Sequence, residues 1–171
     1  KTRAWLSGFT GSAGSFVITQ SVAGLWTDGR YYVQAEKQLS GSEGVLFKMN
    51  EPETPKIHEY LAKELPENAV VGINGQLFSV AYVKEMQKAF KKKNIQIDNQ
   101  VDYANDLWED RPAESATAVY NLPVKYAGKS AQQKIEELRG KLEAAGAEAI
   151  FVNALDGIAW LYNIRANDVA C

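Results

Sequence analysis

Cysteine is nearly missing from this chain: of 171 residues only the last, Cys171, is one. A single thiol excludes an internal disulfide framework and fits a reducing compartment. Histidine is equally scarce. His58 is the one imidazole; it lies in Lys56-Ile-His-Glu-Tyr60 with alanine at position 62, so the zinc-binding His-Glu-x-x-His pair is absent. No apolar run approaches the ~20 residues that a membrane helix needs, and no signal-like segment stands at the start. The formal charge of −2 leaves no excess of either sign, which gives no reason to expect nucleic acid or an anionic membrane as partner. A cytoplasmic address is therefore the default expectation, although a start at Lys1 rather than methionine leaves room for a leader upstream.

What is present is an ordinary globular composition, 46% hydrophobic and 23% charged. The length suits one medium domain, or one small domain with part of another. The most informative stretch is Trp5-Leu-Ser-Gly-Phe-Thr-Gly-Ser-Ala-Gly14, followed closely by Leu25-Trp-Thr-Asp-Gly-Arg-Tyr31. Gly8, Gly11 and Gly14 recur every third residue, and glycine lets a ligand or a neighbouring chain approach the backbone. Phe16-Val-Ile-Thr19 then reads as a strand. That context excludes a phosphate loop, which feeds a helix N-terminus and ends in Gly-Lys-Ser/Thr.

Short β-branched and aromatic runs predict strands at Phe16–Thr19, Leu25–Thr27, Val45–Met49, Val70–Ile73, Ile95–Ile97 and Ala149–Val152. Helical spacing predicts helices at Tyr31–Leu39, Pro55–Leu65, Ser79–Lys92 and Ala131–Ala145. Thr54 is expected to cap the second helix with Pro55 in its first turn. Ser130 and Gln133 have capping-box spacing, and Gly146 supplies a left-handed stop. The one basic run, Lys91-Lys-Lys93, reads as a helix C-terminus favoured by the macrodipole. This alternation defines an α/β class with a mixed β-sheet flanked by helices.

Between Asn105 and Lys129 the periodicity fades and Pro112, Pro123 and Gly128 appear, as in an interdomain connection, and its Trp108 and Tyr120 indicate that it packs on something rather than floating. Beyond it lies an echo. Ala4-Trp-Leu6 is matched by Ala159-Trp-Leu161, each followed by a glycine or asparagine and an apolar residue. The second copy follows a helix and a strand, whereas nothing precedes the first. If the two are equivalent units, the first lacks its opening helix and strand, and the expected division is 1–104 as a first domain, 105–129 as connector and 130–171 as the opening of a second similar domain.

These motifs resemble the N-terminal region of the three-domain Xaa-Pro aminopeptidases, in the creatinase/prolidase-like pita-bread metallopeptidase family. The resemblance runs in register through Tyr31-Tyr-Val-Gln-Ala-Glu-Lys-Gln-Leu39, Phe47-Lys-Met49, Thr54-Pro55, Val71-Gly72, Leu107-Trp108, Asp110-Arg-Pro112 and Tyr126-Ala-Gly-Lys-Ser130. It ends with Ala154-Leu-Asp-Gly-Ile-Ala-Trp-Leu-Tyr-Asn-Ile-Arg165 and Asn167-Asp168. It implies a parent that releases the first residue of peptides with proline second, using two metal ions, most naturally Mn²⁺, and acting in the cytoplasm as a homodimer. The metal ligands of that family belong to its C-terminal domain and none of their motifs occurs here, so no catalytic or metal-binding residue is carried over and the chain by itself is expected to be inactive.

Arg30 is the candidate substrate-binding residue. The Asp28-Gly29 turn leaves its guanidinium at the tip, able to reach a carbonyl or carboxylate, and the resemblance places the matching arginine close to the substrate cleft. The competing reading, that Asp28 and Arg30 merely stabilise the turn, stays open. Trp5, Trp26 and Phe9 read as packing residues, His58 as a surface helix residue, and Asp156, Arg165 and Asp168 as an ion-pair network orienting a loop. A rival class of function is a catalytically inactive, peptidase-like protein-binding module.

Overall fold

The computed structural model describes residues 2–100, 102–113 and 116–167. They part into two compact units, residues 1–111 and 112–171.

In the first unit α1 (Thr2–Ser7) leads through the glycine run to β1 (Ser15–Ile18) and β2 (Ala23–Thr27). Then come α2 (Tyr32–Leu39), β3 (Gly44–Lys48), α3 (Ile57–Glu64), β4 (Val70–Gly72), α4 (Val80–Phe90), β5 (Gln96–Asp98) and α5 (Tyr103–Leu107). Strand β2 is central, antiparallel to β1 with Phe16 opposite Leu25, and parallel to β3 with Trp26 opposite Phe47. Parallel strands β4 and β5 form a second sheet with Val71 opposite Ile97. Parallel pairs need crossovers, and the helices α2 and α4 supply them. Helix α2 turns Ala35 and Leu39, four residues apart on one face, onto Leu25 and Phe9. Helices α3 and α4 turn Leu61, Met86 and Phe90 toward Ile73 and Ile95. Trp26 is buried, stacks on Phe47 with ring centroids 3.8 Å apart, and donates its indole N–H to the Pro55 carbonyl at 3.0 Å.

Five predicted strands and four predicted helices fall where the pattern put them, within one or two residues. Other expectations need correction. The second helix of that reading, α3, begins at Ile57, with Lys56 as N-cap and the Glu59 carboxylate accepting the Lys56 N–H at 3.1 Å; Thr54 and Pro55 lie ahead of it because Pro55 gives its carbonyl to Trp26. Trp5, read as a packing residue, lies on helix α1 and packs on Trp108, stacked at 4.9 Å, but 41% of it stays exposed. The triple lysine, by contrast, does end a helix as expected: it continues α4 as a 3₁₀ turn that stops on left-handed Asn94. Lys93 also caps a different helix, donating to the Lys63 and Leu65 carbonyls at 2.7 Å at the end of α3, where a cation meets the negative helix terminus.

The second unit holds β6 (Tyr120–Asn121), α6 (Val124–Ala127), α7 (Ala131–Ala144), α8 (Leu155–Tyr162) and β7 (Ile164–Arg165). Strands β6 and β7 pair antiparallel. The capping box closes as predicted, with the Gln133 N–H donated to Ser130 Oγ at 3.1 Å and the Ser130 N–H to Gln133 Oε1 at 2.9 Å. Gly146 has φ +64° and stops α7. The strand predicted at Ala149–Val152 does not form. Those residues carry strand-forming side chains, but no neighbouring strand pairs with them, and Phe151 is 89% exposed. The stretch read as a connector, 105–129, contributes the end of α5 to the first unit and β6 and α6 to the second.

Candidate functional site

The glycine run and the Asp-Gly-Arg turn come together at the end of β2. Thr27, the last residue of that strand, is buried and donates its hydroxyl to the Ala13 carbonyl at 2.8 Å, which brings the run against the strand end. Arg3 reaches from α1 and donates one terminal nitrogen to the Gly14 carbonyl and the other to the Gly11 carbonyl. Its guanidinium carbon lies 5.3 Å from the centre of the Phe9 ring. From the other side Gln38 of α2 accepts the Thr10 N–H at 3.1 Å, while Gln34 and Gln38 donate to the Thr10 hydroxyl at 3.1 and 2.9 Å.

Two of the glycines are required by close approach. A Cβ on Gly11 would stand 2.2 Å from the buried Phe9 ring. At Gly14, where φ is +146°, it would stand 2.9 Å from the Trp26 carbonyl oxygen. The run is thus a fixed frame rather than a free loop, and the positive φ at Gly14 is one that only glycine adopts without strain.

On this frame sits the turn. The Tyr31 N–H closes it on the Asp28 carbonyl at 2.9 Å. Asp28 Oδ1 accepts both the Arg30 backbone N–H at 3.1 Å and Nε at 2.9 Å, and Oδ2 accepts from Nη2 at 2.8 Å. The Arg30 side chain hydrogen-bonded to Asp28 holds that carboxyl below the usual carboxylate range, and the carboxylate in turn pushes the guanidinium further up. Arg30 is 70% exposed and its guanidinium carbon lies 5.4 Å from the Tyr31 ring centre. Tyr31 is anchored by an edge contact with Phe9, centroids 5.9 Å apart, and by a 2.5 Å hydrogen bond shared between its hydroxyl and that of Ser12. That bond lowers the Tyr31 phenol. Beside the turn a shallow cavity of about 580 Å³ is walled by Tyr32, Leu46, Lys48 and residues 51–54, with Lys48 paired to Glu36 at 2.7 Å.

Chemically, the arrangement can offer an exposed, oriented cation to a hydrogen-bond acceptor. Arg30 is therefore engaged by Asp28, as the turn-stabilising reading requires, and still outward-facing, as the binding reading requires. Phe9 and Trp26 are core residues. His58 is half-buried with its ring edge toward Tyr82, centroids 6.0 Å apart, and its Nδ1 lacks a partner; the helix face it occupies turns toward α4 rather than to the surface. Among the described residues no group of three His, Cys, Asp or Glu side chains stands close enough to hold a metal ion, so these residues do not fit a metal centre and no step through a metal is assigned to them. The network expected of Asp156, Arg165 and Asp168 is not formed by its described members. Arg165 donates to the Ala159 carbonyl at 3.0 Å and Asp156 accepts the Gly157 N–H, while Asp168 lies outside the described residues.

Arg3, Ser12, Tyr31 and Gln38, which build the frame, were not singled out by sequence reasoning. Gln34 and Gln38 do carry a signal, since they are four apart on one helix face. Arg3 carries a weaker one, as a charge one turn before a glycine run. Leu107-Trp108 and Asp110-Arg-Pro112 prove to be a strap: Trp108 stacks on Trp5, and Arg111 donates to Asp102 at 2.8 Å and to the Thr2 hydroxyl at 3.3 Å.

A mixed sheet with flanking helices, carrying a fixed glycine frame and an Asp-Gly-Arg turn at the end of its central strand, defines an α/β domain that presents an exposed arginine at a strand end. A family model described as the Creatinase/Prolidase N-terminal domain matches residues 1–104, and a second model of the same description matches 110–171. The chain belongs to this family. It is 42% identical over 171 residues to Aminopeptidase P1 of Arabidopsis thaliana, covering 99% of this chain and 26% of that protein. To the Xaa-Pro aminopeptidase ApepP of Drosophila melanogaster it is 38% identical, covering 98% and 27%. Among solved structures, the X-prolyl aminopeptidase of Caenorhabditis elegans, described as a cytosolic enzyme with a di-nuclear active site, superposes with a TM-score of 0.81 at 32% identity, covering 98% of this chain and 28% of that one. The chain thus spans about a quarter of the length of these relatives and corresponds to the N-terminal region of Xaa-Pro aminopeptidase-type proteins.

Proposed function

We propose that this chain is the non-catalytic N-terminal part of a cytoplasmic, metal-dependent Xaa-Pro aminopeptidase, which removes the first residue from peptides with proline second and works as a homodimer with two Mn²⁺ ions bound elsewhere in its sequence. Within that enzyme residues 1–104 are a first domain that forms one wall of the substrate path, 105–129 is the connector, and 130–171 opens a second domain. Arg30 is its substrate-binding residue. The observation that carries this reading is the coverage: similarity to aminopeptidases runs over 99% of the chain at 42% identity rather than through one motif. The frame around the turn supports the role of Arg30. Arg3, Thr27 and Gln38 fix the glycine run, Phe9 and Ser12 fix Tyr31, and the guanidinium is left facing water.

The test is Arg30→Ala in the full-length protein, assayed on an Arg-Pro-Pro type peptide with Mn²⁺. A lost charged hydrogen bond predicts a fall in kcat/KM on the order of ten- to a hundredfold with the melting temperature nearly unchanged. Unaltered kinetics would return Arg30 to the turn-stabilising role. A full-length protein that releases no arginine under any metal would favour the protein-binding module instead.

A further inference from the structure

We infer that Asp28 sets the ligand class of Arg30, neutralising it so that it receives an uncharged peptide carbonyl and not a free carboxylate. This rests on the reading of Arg30 as a substrate-binding residue.

A free arginine presents five N–H donors and a full positive charge, and it binds carboxylates as a fork to a fork. Here one side of the fork is already filled. Asp28 takes Nε and Nη2 at 2.9 and 2.8 Å, a carboxylate in the very position that a substrate carboxylate would choose. Asp28 is itself locked by the Arg30 backbone N–H at 3.1 Å. It is the less exposed partner, 26% against 70% for Arg30. The pair therefore moves as one neutral unit with the arginine outermost, and Nη1 has no hydrogen-bond acceptor among the described residues.

A second anion arriving at this unit would meet Asp28 within the same fork. Repulsion from that carboxylate cancels most of the attraction the guanidinium offers. A neutral carbonyl suffers no such repulsion and still gains the directed Nη1 hydrogen bond, polarised by the ion pair behind it. The Tyr31 ring, 5.4 Å from the guanidinium carbon, presents its face to the cation and holds its plane without adding charge. For an enzyme acting on the amino ends of peptides of mixed length, this arrangement removes a preference for chains whose carboxyl end falls at Arg30. Asp28 is accordingly a specificity-determining residue rather than a catalytic one.

The experiment uses the full-length protein with Mn²⁺ and matched Xaa-Pro peptides of two to five residues, each as the C-terminal acid and the C-terminal amide. Wild type should show an acid-to-amide ratio of kcat/KM that does not depend on length, and Arg30→Ala, which leaves the Asp28 carboxylate unpaired, should lower every rate and lower that ratio further at the one length that brings the carboxylate to the turn. Asp28→Asn keeps the Oδ1 acceptor for the turn and removes the charge. It should raise the acid-to-amide ratio at the one length that brings the carboxylate to Arg30, on the order of three- to tenfold, and the double variant Asp28→Asn, Arg30→Ala should abolish the rise. Asp28→Ser is the second variant, with the same expectation, should asparagine disturb folding. If Arg30→Ala impairs every peptide but neither Asp28 variant changes any ratio, the charge-setting role is overturned while the substrate-binding reading stands. If Arg30→Ala changes no kinetic constant, both are overturned.

Discussion

In the first unit α1 runs into Gly8 at φ +70°, and in the second α8 runs into Asn163 at φ +55°, so each Ala-Trp-Leu helix stops on a left-handed residue and turns into an apolar one. What fixes the turn differs. After Gly8, Phe9 drops into a cluster with Leu25, Ala35 and Leu39, and the polar groups of Arg3 lie around it. Around Asn163 the order is reversed. Lys134 is buried, donating to Asn163 Oδ1 at 2.6 Å and to the Trp160 carbonyl at 2.8 Å, with its ammonium 4.4 Å from the Trp160 ring centre. Asn163 in turn donates Nδ2 to the Lys129 carbonyl at 2.8 Å and accepts the Leu122 N–H. Leu161 is the one buried hydrophobic residue among the described residues of the second unit. One sequence echo is therefore held by apolar packing in one place and by a polar knot in the other, and the left-handed stop tolerates either because it needs only a fixed direction for the chain that follows.

The comparison breaks most visibly at Phe9. Phe9→Ala should destabilise the first unit by about 3–5 kcal/mol, the range for emptying a packed aromatic site, and should loosen the glycine frame by removing what Tyr31 and Arg3 rest on. Denaturant unfolding followed by circular dichroism, with amide exchange to locate the loss, is the measurement. A change under about 1 kcal/mol would show that the hydrogen bonds of Arg3 and Gln38 hold the frame without the ring.

Lys134→Met tests the other half. Methionine keeps the length of the side chain but strands Asn163 Oδ1 and the Trp160 carbonyl, and an unsatisfied buried acceptor costs about 1–3 kcal/mol. The loss should be confined to the second unit, read as faster amide exchange at Leu122 and Asn163 with protection in β2 unchanged. If the methionine variant is as stable as the parent, apolar contact suffices there too and the contrast between the units collapses.

How far these differences could be read in advance follows the same division. Short apolar runs and helical spacing reveal β1 to β5 and α2 to α4 because their apolar residues meet neighbours close by: β2 is buried on both faces, through the adjacent Leu25 and Trp26, and α3 and α4 turn Leu61 and Met86 into one cluster. The glycine run could be located for the same reason, since Gly11 and Gly14 answer to a neighbouring ring and carbonyl. Patterns fail where a segment depends on a partner that its own residues do not name. Ala149–Val152 has the composition of a strand and no neighbour to pair with, and Trp5 stands beside apolar residues yet belongs to a helix whose companion is Trp108, more than a hundred residues on. Lys134 and Asn163 are the clearest case, because a lysine on a polar helix reads as solvated surface until the Trp160 carbonyl is set beside it.

The smallest expected effect concerns the polar clamp of the first unit, which unlike that of the second lies at the rim. Asp102 accepts from Arg111 at 2.8 Å and from Asn74 at 3.2 Å, and both members of the ion pair keep about a quarter of their side chains in water, 26% and 28%. The Arg111 hydrogen bond, opposed by desolvation, holds the Asp102 carboxyl below the usual carboxylate range. A carboxyl whose folded pKa is depressed adds stability that is present above its unfolded pKa of about 3.9 and is lost as pH falls through the lower folded value. Water at the rim screens the pair, so Asp102→Asn, which retains an acceptor for the Ala104 N–H, should cost under about 1 kcal/mol at pH 7. Melting temperatures of parent and variant should converge as the pH falls below about 4, and added salt should narrow the gap at neutral pH. A gap that stays constant from pH 7 to pH 2 would mean that the asparagine disturbs the N-cap of α5, so that hydrogen-bond geometry rather than charge fastens the strap from Trp108 to Arg111.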